Sequence, residues 1–260
     1  MKKRLAILNV FSVILVIAVN YISQALRLND TTIGEISREY ENLFTPASYA
    51  FAIWGLIFLS LFAYVIFQIK SAFFSDTTSE FIEQTGYWFL IANILNSLWV
   101  IAFVYDFTGW SVLIMLGILF SLIKIILNTH MERGTASLAE KGLVWWPISL
   151  YSGWIAVATI ANISAYLSKL NWEGSFLTEV QWTVTMILIA LVLNLLILFK
   201  RTMWVFALVG VWSLFAIYVR HQNSEETIAT SALVSAIVLG VLVVVHSIKT
   251  ILKNKRLTEK

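Results

Sequence analysis

Three hydrophobic stretches of this sequence carry aromatic and amide side chains at helical spacing, and these residue types could hold a small molecule. The first contains Tyr49, Trp54 and Phe58, the last two one turn apart. The second contains Asn93, Asn96, Trp99 and Phe103. The third has Trp154, Ala158 and Asn162 at positions i, i+4 and i+8, which share one helix face. An amide in apolar surroundings costs free energy unless it is hydrogen-bonded, so Asn96 and Asn162 are expected to point into a bundle. Two readings follow. The amides could bridge helices, as Asn commonly does in membranes. Alternatively, aromatic walls with a few polar anchors could form a small-molecule pocket. Composition alone favours bridging.

Other chemistry is missing from the sequence. No Asp or Glu lies inside an apolar stretch, Asp106 being at an end, and carboxylates there are the usual mark of proton or cation coupling. There is no phosphate-binding loop, no His-Glu-x-x-His and no metal-ligand cluster. His130, His221 and His246 are far apart, and each reads as a surface or interfacial residue rather than a ligand. The absence of cysteine excludes disulfides and thiolate sites. A net charge of +3, with its basic residues scattered at the ends of apolar stretches, gives no sign of a nucleic-acid partner.

The elements that must position these residues follow from composition. Of 260 residues, 59% are hydrophobic and 13% charged, and the mean hydropathy is +0.82. That is the balance of an integral membrane protein, so the fold expected is an all-α polytopic transmembrane bundle whose partner is the lipid bilayer. About twenty apolar residues at 1.5 Å rise cross a hydrocarbon layer of roughly 30 Å. Eight such spans can be drawn, at 5–26, 48–69, 86–106, 109–129, 143–167, 180–199, 203–219 and 228–250. The first follows Lys2-Lys3-Arg4 and is too long for a signal core, so it reads as an uncleaved helix. The second opens on Thr45-Pro46, and a proline suits a first helical turn because its missing N–H would have no partner there. Several of the eleven tryptophans are expected at the membrane interfaces.

With the N-terminus inside, the inner segments hold fourteen of the eighteen Lys and Arg, leaving Arg27, Arg38, Lys169 and Arg220 outside. The positive-inside rule therefore places both termini in the cytoplasm of a multi-pass cell-membrane protein. The first outer loop, 27–47, is the longest. Its Thr32-Ile33-Gly34-Glu35 fits a capping box, and Ile33, Ile36, Tyr40 and Leu43 follow at helical spacing. A short amphipathic helix and a solvated acidic loop are equally compatible with it. Residues 168–179 form the best internal boundary, separating five spans from three.

The three stretches together resemble the tryptophan-rich sensory protein family, also called translocator protein or TspO/MBR. The resemblance rests on a proline-led second helix running from Pro46 to Trp54 and Phe58, and on Asn96-Ser-Leu-Trp99 with Phe103 in the third. It rests also on Pro147, Trp154, Ala158 and Asn162 in the fifth. The chain departs from the family pattern in having Ala47 and Ser48 after Pro46. The resemblance covers about residues 1–170, which implies a five-helix bundle there and three additional helices with a basic tail over 171–260. It implies a flat hydrophobic ligand, a tetrapyrrole such as protoporphyrin or a sterol-like molecule, bound for sensing or translocation. It also implies that Trp54, Phe58, Asn96, Trp99, Phe103, Trp154, Ala158 and Asn162 line the site. Tyr49 and Pro46 would then sit at its mouth, with the loop after the first helix closing over it, and a homodimer is a further expectation at family level. The other functions compatible with the sequence are a facilitator of a small solute and a membrane enzyme that degrades porphyrin. An enzyme is the less favoured reading, and no catalytic or metal-binding residue is assigned.

Overall fold

The computed structural model describes residues 1–75, 80–134, 136–172 and 177–258, with backbone alone for 251–258. Helices fill it: α1 (Lys2–Ala25), α2 (Ile33–Glu39), α3 (Ile53–Phe73), α4 (Phe81–Thr85), α5 (Trp88–Val104) and α6 (Thr108–Asn128) come first. They are followed by α7 (Leu138–Glu140), α8 (Trp146–Lys169), α9 (Glu179–Arg201), α10 (Trp204–His221) and α11 (Glu226–Thr258). No strand occurs among the described residues. Among the described residues, seven helical stretches are long and apolar enough to cross a membrane, and the shorter α5 is a further apolar helix. At 17 residues α5 still meets the lower limit for a span. The chain is thus a polytopic helical membrane protein.

Two compact units are present. The first comprises Met1–Asn42 and Phe51–Trp172, the second Leu43–Ala50 and Glu173–Lys260. Of the boundary segment expected at 168–179, residues 173–176 lie outside the described residues.

In the first unit α5 is the central helix, packing on α1, α2 and α6. Helix α8 lies against α6 and α3, and α1 against α3. Helices α1, α5 and α8 run one way and α3 and α6 the other, for Asn9 early in α1 meets Gln68 late in α3, and Trp88 at the start of α5 meets Phe120 in the second half of α6. The turn before α5 places Gly86 at φ 57°, a conformation that a side chain would strain. Pro147 stands in the first turn of α8, directly after a π turn at Lys141–Trp145, so its missing N–H falls inside the continuous helical stretch Leu138–Lys169.

The first loop contains a helix, α2. Thr32 caps it by accepting from the Glu35 N–H at 3.2 Å. The reciprocal half of the expected box is replaced, because the Glu35 carboxylate takes the Arg27 guanidinium at 2.9 Å. That hydrogen bond holds the Glu35 carboxyl below its ordinary range. The loop is tied to the ends of α5 and α8. Asn29 donates to the Val104 carbonyl at 3.0 Å, and Ser168 donates to Glu41 O at 3.3 Å. Tyr40 donates to Asp106 at 2.9 Å, and Lys169 pairs with Asp106 at 2.6 Å.

The second unit packs α10 between contacts to α9 and α11, with α11 also on α9. Helix α9 starts with a complete capping box, Thr178 accepting from Gln181 N–H and the Gln181 side chain accepting from Thr178 N–H.

Two expectations are corrected in this unit. Pro46 does not open a helix. A 3₁₀ turn, Ser48–Ala52, separates it from Ile53. The backbone of 43–50 is instead drawn onto α10, where Ala47 N–H donates to Ala216 O at 3.0 Å and Arg220 donates to Thr45 O at 2.9 Å. Tertiary hydrogen bonds have overridden a local helix-start signal. His221 is not a surface residue. It is 3% exposed, and its Nε2 carries the proton that Leu43 O accepts at 2.8 Å.

Candidate functional site

The residues singled out by spacing fall into two groups in the first unit. The aromatic group lies between α3 and α8. Trp54 stacks on Phe58 at a centroid distance of 5.3 Å, one turn away on α3. Across the helix gap Trp54 meets Tyr151 at 6.1 Å and Trp154 at 6.4 Å, both edge-on. Phe51 meets Trp154 edge-on at 5.9 Å. Such pairs contribute about 0.5–1.5 kcal/mol each beyond their burial. Trp54 and Phe58 remain half-buried, whereas Trp154 is 3% exposed. The Trp154 indole Nε1 is buried without a hydrogen-bond partner. An indole N–H in that position is a donor available to a bound molecule.

The amide group joins α5, α6 and α8. Trp99 Nε1–H donates to Asn162 Oδ1 at 3.1 Å, and the Asn162 amide donates to Ser111 Oγ at 2.9 Å. Trp99 stacks on Phe103 at 5.3 Å. Asn162 is therefore already engaged as a bridge between three helices. Asn96 is likewise engaged, donating to Tyr151 OH at 2.9 Å and accepting from Asn20 at 3.2 Å. Tyr151 thus belongs to both groups, touching Trp54 by its ring and Asn96 by its hydroxyl. Ala158 is half-buried on α8, one turn from each of Trp154 and Asn162.

Tyr49 and Pro46 fall in the second unit. Pro46 is buried, and Tyr49 sits edge-on to Trp212 at 5.2 Å. Trp212 Nε1–H donates to Ala50 O at 3.2 Å, so the aromatic pair and the backbone bond hold the same strap.

Sequence reasoning missed Tyr151, Phe51, Ser111 and Asn20. Tyr151 had a signal, standing three residues before Trp154 and so on nearly the same face. The others had none beyond being polar or aromatic in an apolar run. The chemistry on offer is π surface plus neutral hydrogen-bonding groups. Among the described residues, no group of three or more acidic or histidine side chains is placed to hold a metal ion.

The sequence model of the TSPO-like protein family matches residues 6–245. The match runs past the first five spans and takes in the last three. No curated protein and no solved structure matches the chain.

Proposed function

The chain belongs to the TSPO-like protein family, and from that premise we propose that its first unit binds a flat hydrophobic ligand of the tetrapyrrole or sterol-like class, for sensing or translocation across the cell membrane. The observation that carries this reading is the Trp54–Tyr151–Trp154 cluster, with its unpartnered indole N–H on Trp154. Edge-on walls offer a planar ligand stacking area, and the N–H offers one directional contact. Phe58 extends the wall, and Ala158 leaves room beside it. Asn96, Asn162, Trp99 and Phe103 set the spacing of the helices behind it. The distribution of Lys and Arg supports both termini in the cytoplasm.

Trp154→Phe tests the proposal cleanly. Its Nε1 makes no internal hydrogen bond, so the replacement removes ring area and a donor without orphaning another group. The melting temperature of the ligand-free protein should fall modestly, because the smaller ring leaves part of a buried site unfilled. Protoporphyrin should protect the wild type and protect the variant several-fold less well, read as thermal shift and tryptophan quenching. Equal protection of both proteins would remove Trp154 from the site. Ligand counterflow in proteoliposomes would then mark translocation, and loss of the Soret band with product formation would mark an enzyme.

A further inference from the structure

Cations are treated differently at the two ends of the first unit. At one end carboxylates neutralise them, Glu35 taking Arg27 and Asp106 taking Lys169. At the other end stands Lys124, near the close of α6, and among the described residues it forms no ion pair. Helix α4, which packs on α6, brings Glu80 at its cap and Glu83 in its first turn. Both are exposed, Glu80 accepts from Gln84, and neither pairs with Lys124.

The Lys124 ammonium lies instead over the Trp88 ring, 5.7 Å from its centroid. Trp88 opens α5 and meets Phe120 edge-on at 5.6 Å. Phe120 precedes Lys124 by four residues and so shares its helix face. One indole thus holds a cation and an apolar ring together at the head of the α5–α6 seam. The ring quadrupole fixes the ammonium in place and leaves its N–H donors free for an anion.

From Lys124 an apolar strip runs along α6. Phe120, Leu116 and Leu113 stand four, eight and eleven residues back, on one face, and all are exposed. Eleven residues at 1.5 Å rise cover about 16 Å, close to one leaflet's half of a roughly 30 Å hydrocarbon layer. Beneath the strip the seam is closed. A Cβ at Gly117 would stand 3.0 Å from Leu95 of α5, so the two helices touch there.

A cation at the head and one leaflet's depth of open apolar surface below it match the two parts of a phospholipid. Free phosphate would use the cation and leave the strip bare. A zwitterionic lipid carries its own ammonium, which Lys124 repels. Basic groups between transmembrane helices accordingly select anionic head groups. We propose that the α5–α6 seam is a binding site for an anionic phospholipid, with its phosphate on Lys124, its glycerol region at Trp88 and an acyl chain along Phe120, Leu116 and Leu113. The site shares no residue with the Trp54–Tyr151–Trp154 cluster, so it stands or falls apart from the ligand reading made there.

The test is native mass spectrometry of the full chain, stripped of lipid and titrated with phosphatidylglycerol or phosphatidylcholine. Wild type should bind phosphatidylglycerol several-fold more tightly than phosphatidylcholine. Lys124→Gln should abolish that preference, and Lys124→Arg, which keeps the charge, should retain it. Lys70 gives the control, being exposed in the last turn of α3 and over no aromatic ring among the described residues. Lys70→Gln should bind as wild type does. Equal affinity of the wild type for both lipids would overturn the proposal. So would an equal loss in Lys70→Gln and Lys124→Gln, which would mean diffuse attraction without a site. A loss in Lys124→Arg as large as in Lys124→Gln would overturn it as well. Glycerol phosphate, the soluble head group, should not displace the lipid at matched concentration, and displacement would show that the strip takes no part. A dimer mass that Phe120→Ala reduces to a monomer would give the strip to a second copy of the chain and overturn the lipid assignment.

Discussion

Both units have buried hydroxyls that bond back to their own helix, as Ser97 to Asn93 O and Thr159 to Ile155 O in the first, but the described side-chain bonds between spans through amides belong to the first. In the first, amides and hydroxyls bond across helices, as in Asn9–Gln68, Asn93–Ser12, Asn96–Tyr151 and Trp99–Asn162. In the second, they bond back to their own helix. Asn194 donates to Ala190 O, Ser213 to Val209 O and Thr183 to Glu179 O. Helices α9 and α10 approach closely where Gly210 leaves room for the Asn194 side chain, whose Oδ1 is buried there without a partner. Cross-helix bonds instead fix register and distance, which a ligand site needs. The second unit reserves its longer-range hydrogen bonds for the strap 43–50, held by Trp212, Ala216, Arg220 and His221. The difference assigns positioning of side chains to the first unit and capture of one chain segment to the second.

The strongest way to break this contrast is to end the chain after Trp172. Every partner just named for the strap lies beyond that residue. The shortened protein should still insert, because each helix satisfies its own backbone in lipid. Its segment 43–50 should become sensitive to protease, while the full chain stays intact there. Equal resistance would show that the strap needs no help from α10.

Next in size is Gly210→Ala. A Cβ at Gly210 would stand 2.4 Å from Asn194 Oδ1, too close for any contact, so α9 and α10 must separate or Asn194 must turn. Overpacking of this kind costs about 1–3 kcal/mol. The second change Asn194→Ala should restore the melting temperature of Gly210→Ala most of the way. A double variant as unstable as the single one would mean that the glycine serves another purpose.

Asn162→Leu probes the first unit in the same way. It would leave Trp99 Nε1 without its acceptor, along with Ser111 without its amide donor. A buried group left so costs about 1–3 kcal/mol in soluble proteins, and transmembrane pairs average about 0.6 kcal/mol. A fall in melting temperature with ligand protection retained is expected, in contrast to Trp154→Phe. The opposite pattern, an unchanged melting temperature with protection lost, would move Asn162 from bridge to ligand contact.

These residues also mark what could be read in advance. The spans were legible because a bilayer demands about twenty apolar residues, and nothing else in a sequence mimics that. Asn96 and Asn162 were legible as inward-facing because an unpaired amide is costly among lipid. Ser111, the partner of Asn162, was not, since a serine in a helix can satisfy itself and carries no directional signal. Helix α1 read only as an uncleaved first span, although Asn9, Ser12, Asn20 and Ser23 recur along its buried face. Pro46 misled for a physical reason. A proline before an apolar run marks a helix start only if the local backbone has no better partners, and Ala216 O and Arg220 supply them. His221 was misplaced by the same cause, since only tertiary structure brings Leu43 O to its ring.

The smallest effects are expected at the loop of the first unit, whose ties Tyr40–Asp106 and Arg27–Glu35 join partly exposed side chains, in contrast to the strap, whose backbone carbonyls are the acceptors. Two titrations bear on it. Burial first, and then the hydrogen bond to Asp106, raise the Tyr40 phenol above its ordinary value of 10.0. The contribution of Tyr40 is therefore complete below 10 and lost as pH rises through the higher folded value. Arg27 lowers the Glu35 carboxyl below its ordinary 4.5, so that tie is complete above 4.5 and lost as pH falls through the lower value. The loop should accordingly be held equally well between about pH 5 and pH 10 and loosen on either side. Because the protein has no cysteine, a spin label at an Arg38→Cys site would report the mobility of α2 without background. Tyr40→Phe should raise that mobility at pH 7 and flatten the alkaline arm, leaving the acid arm in place. These ties lie at the surface and are screened by solvent, so the melting temperature should barely move. An alkaline arm that survives Tyr40→Phe would mean that Lys169 letting go of Asp106, rather than the phenol, releases the loop.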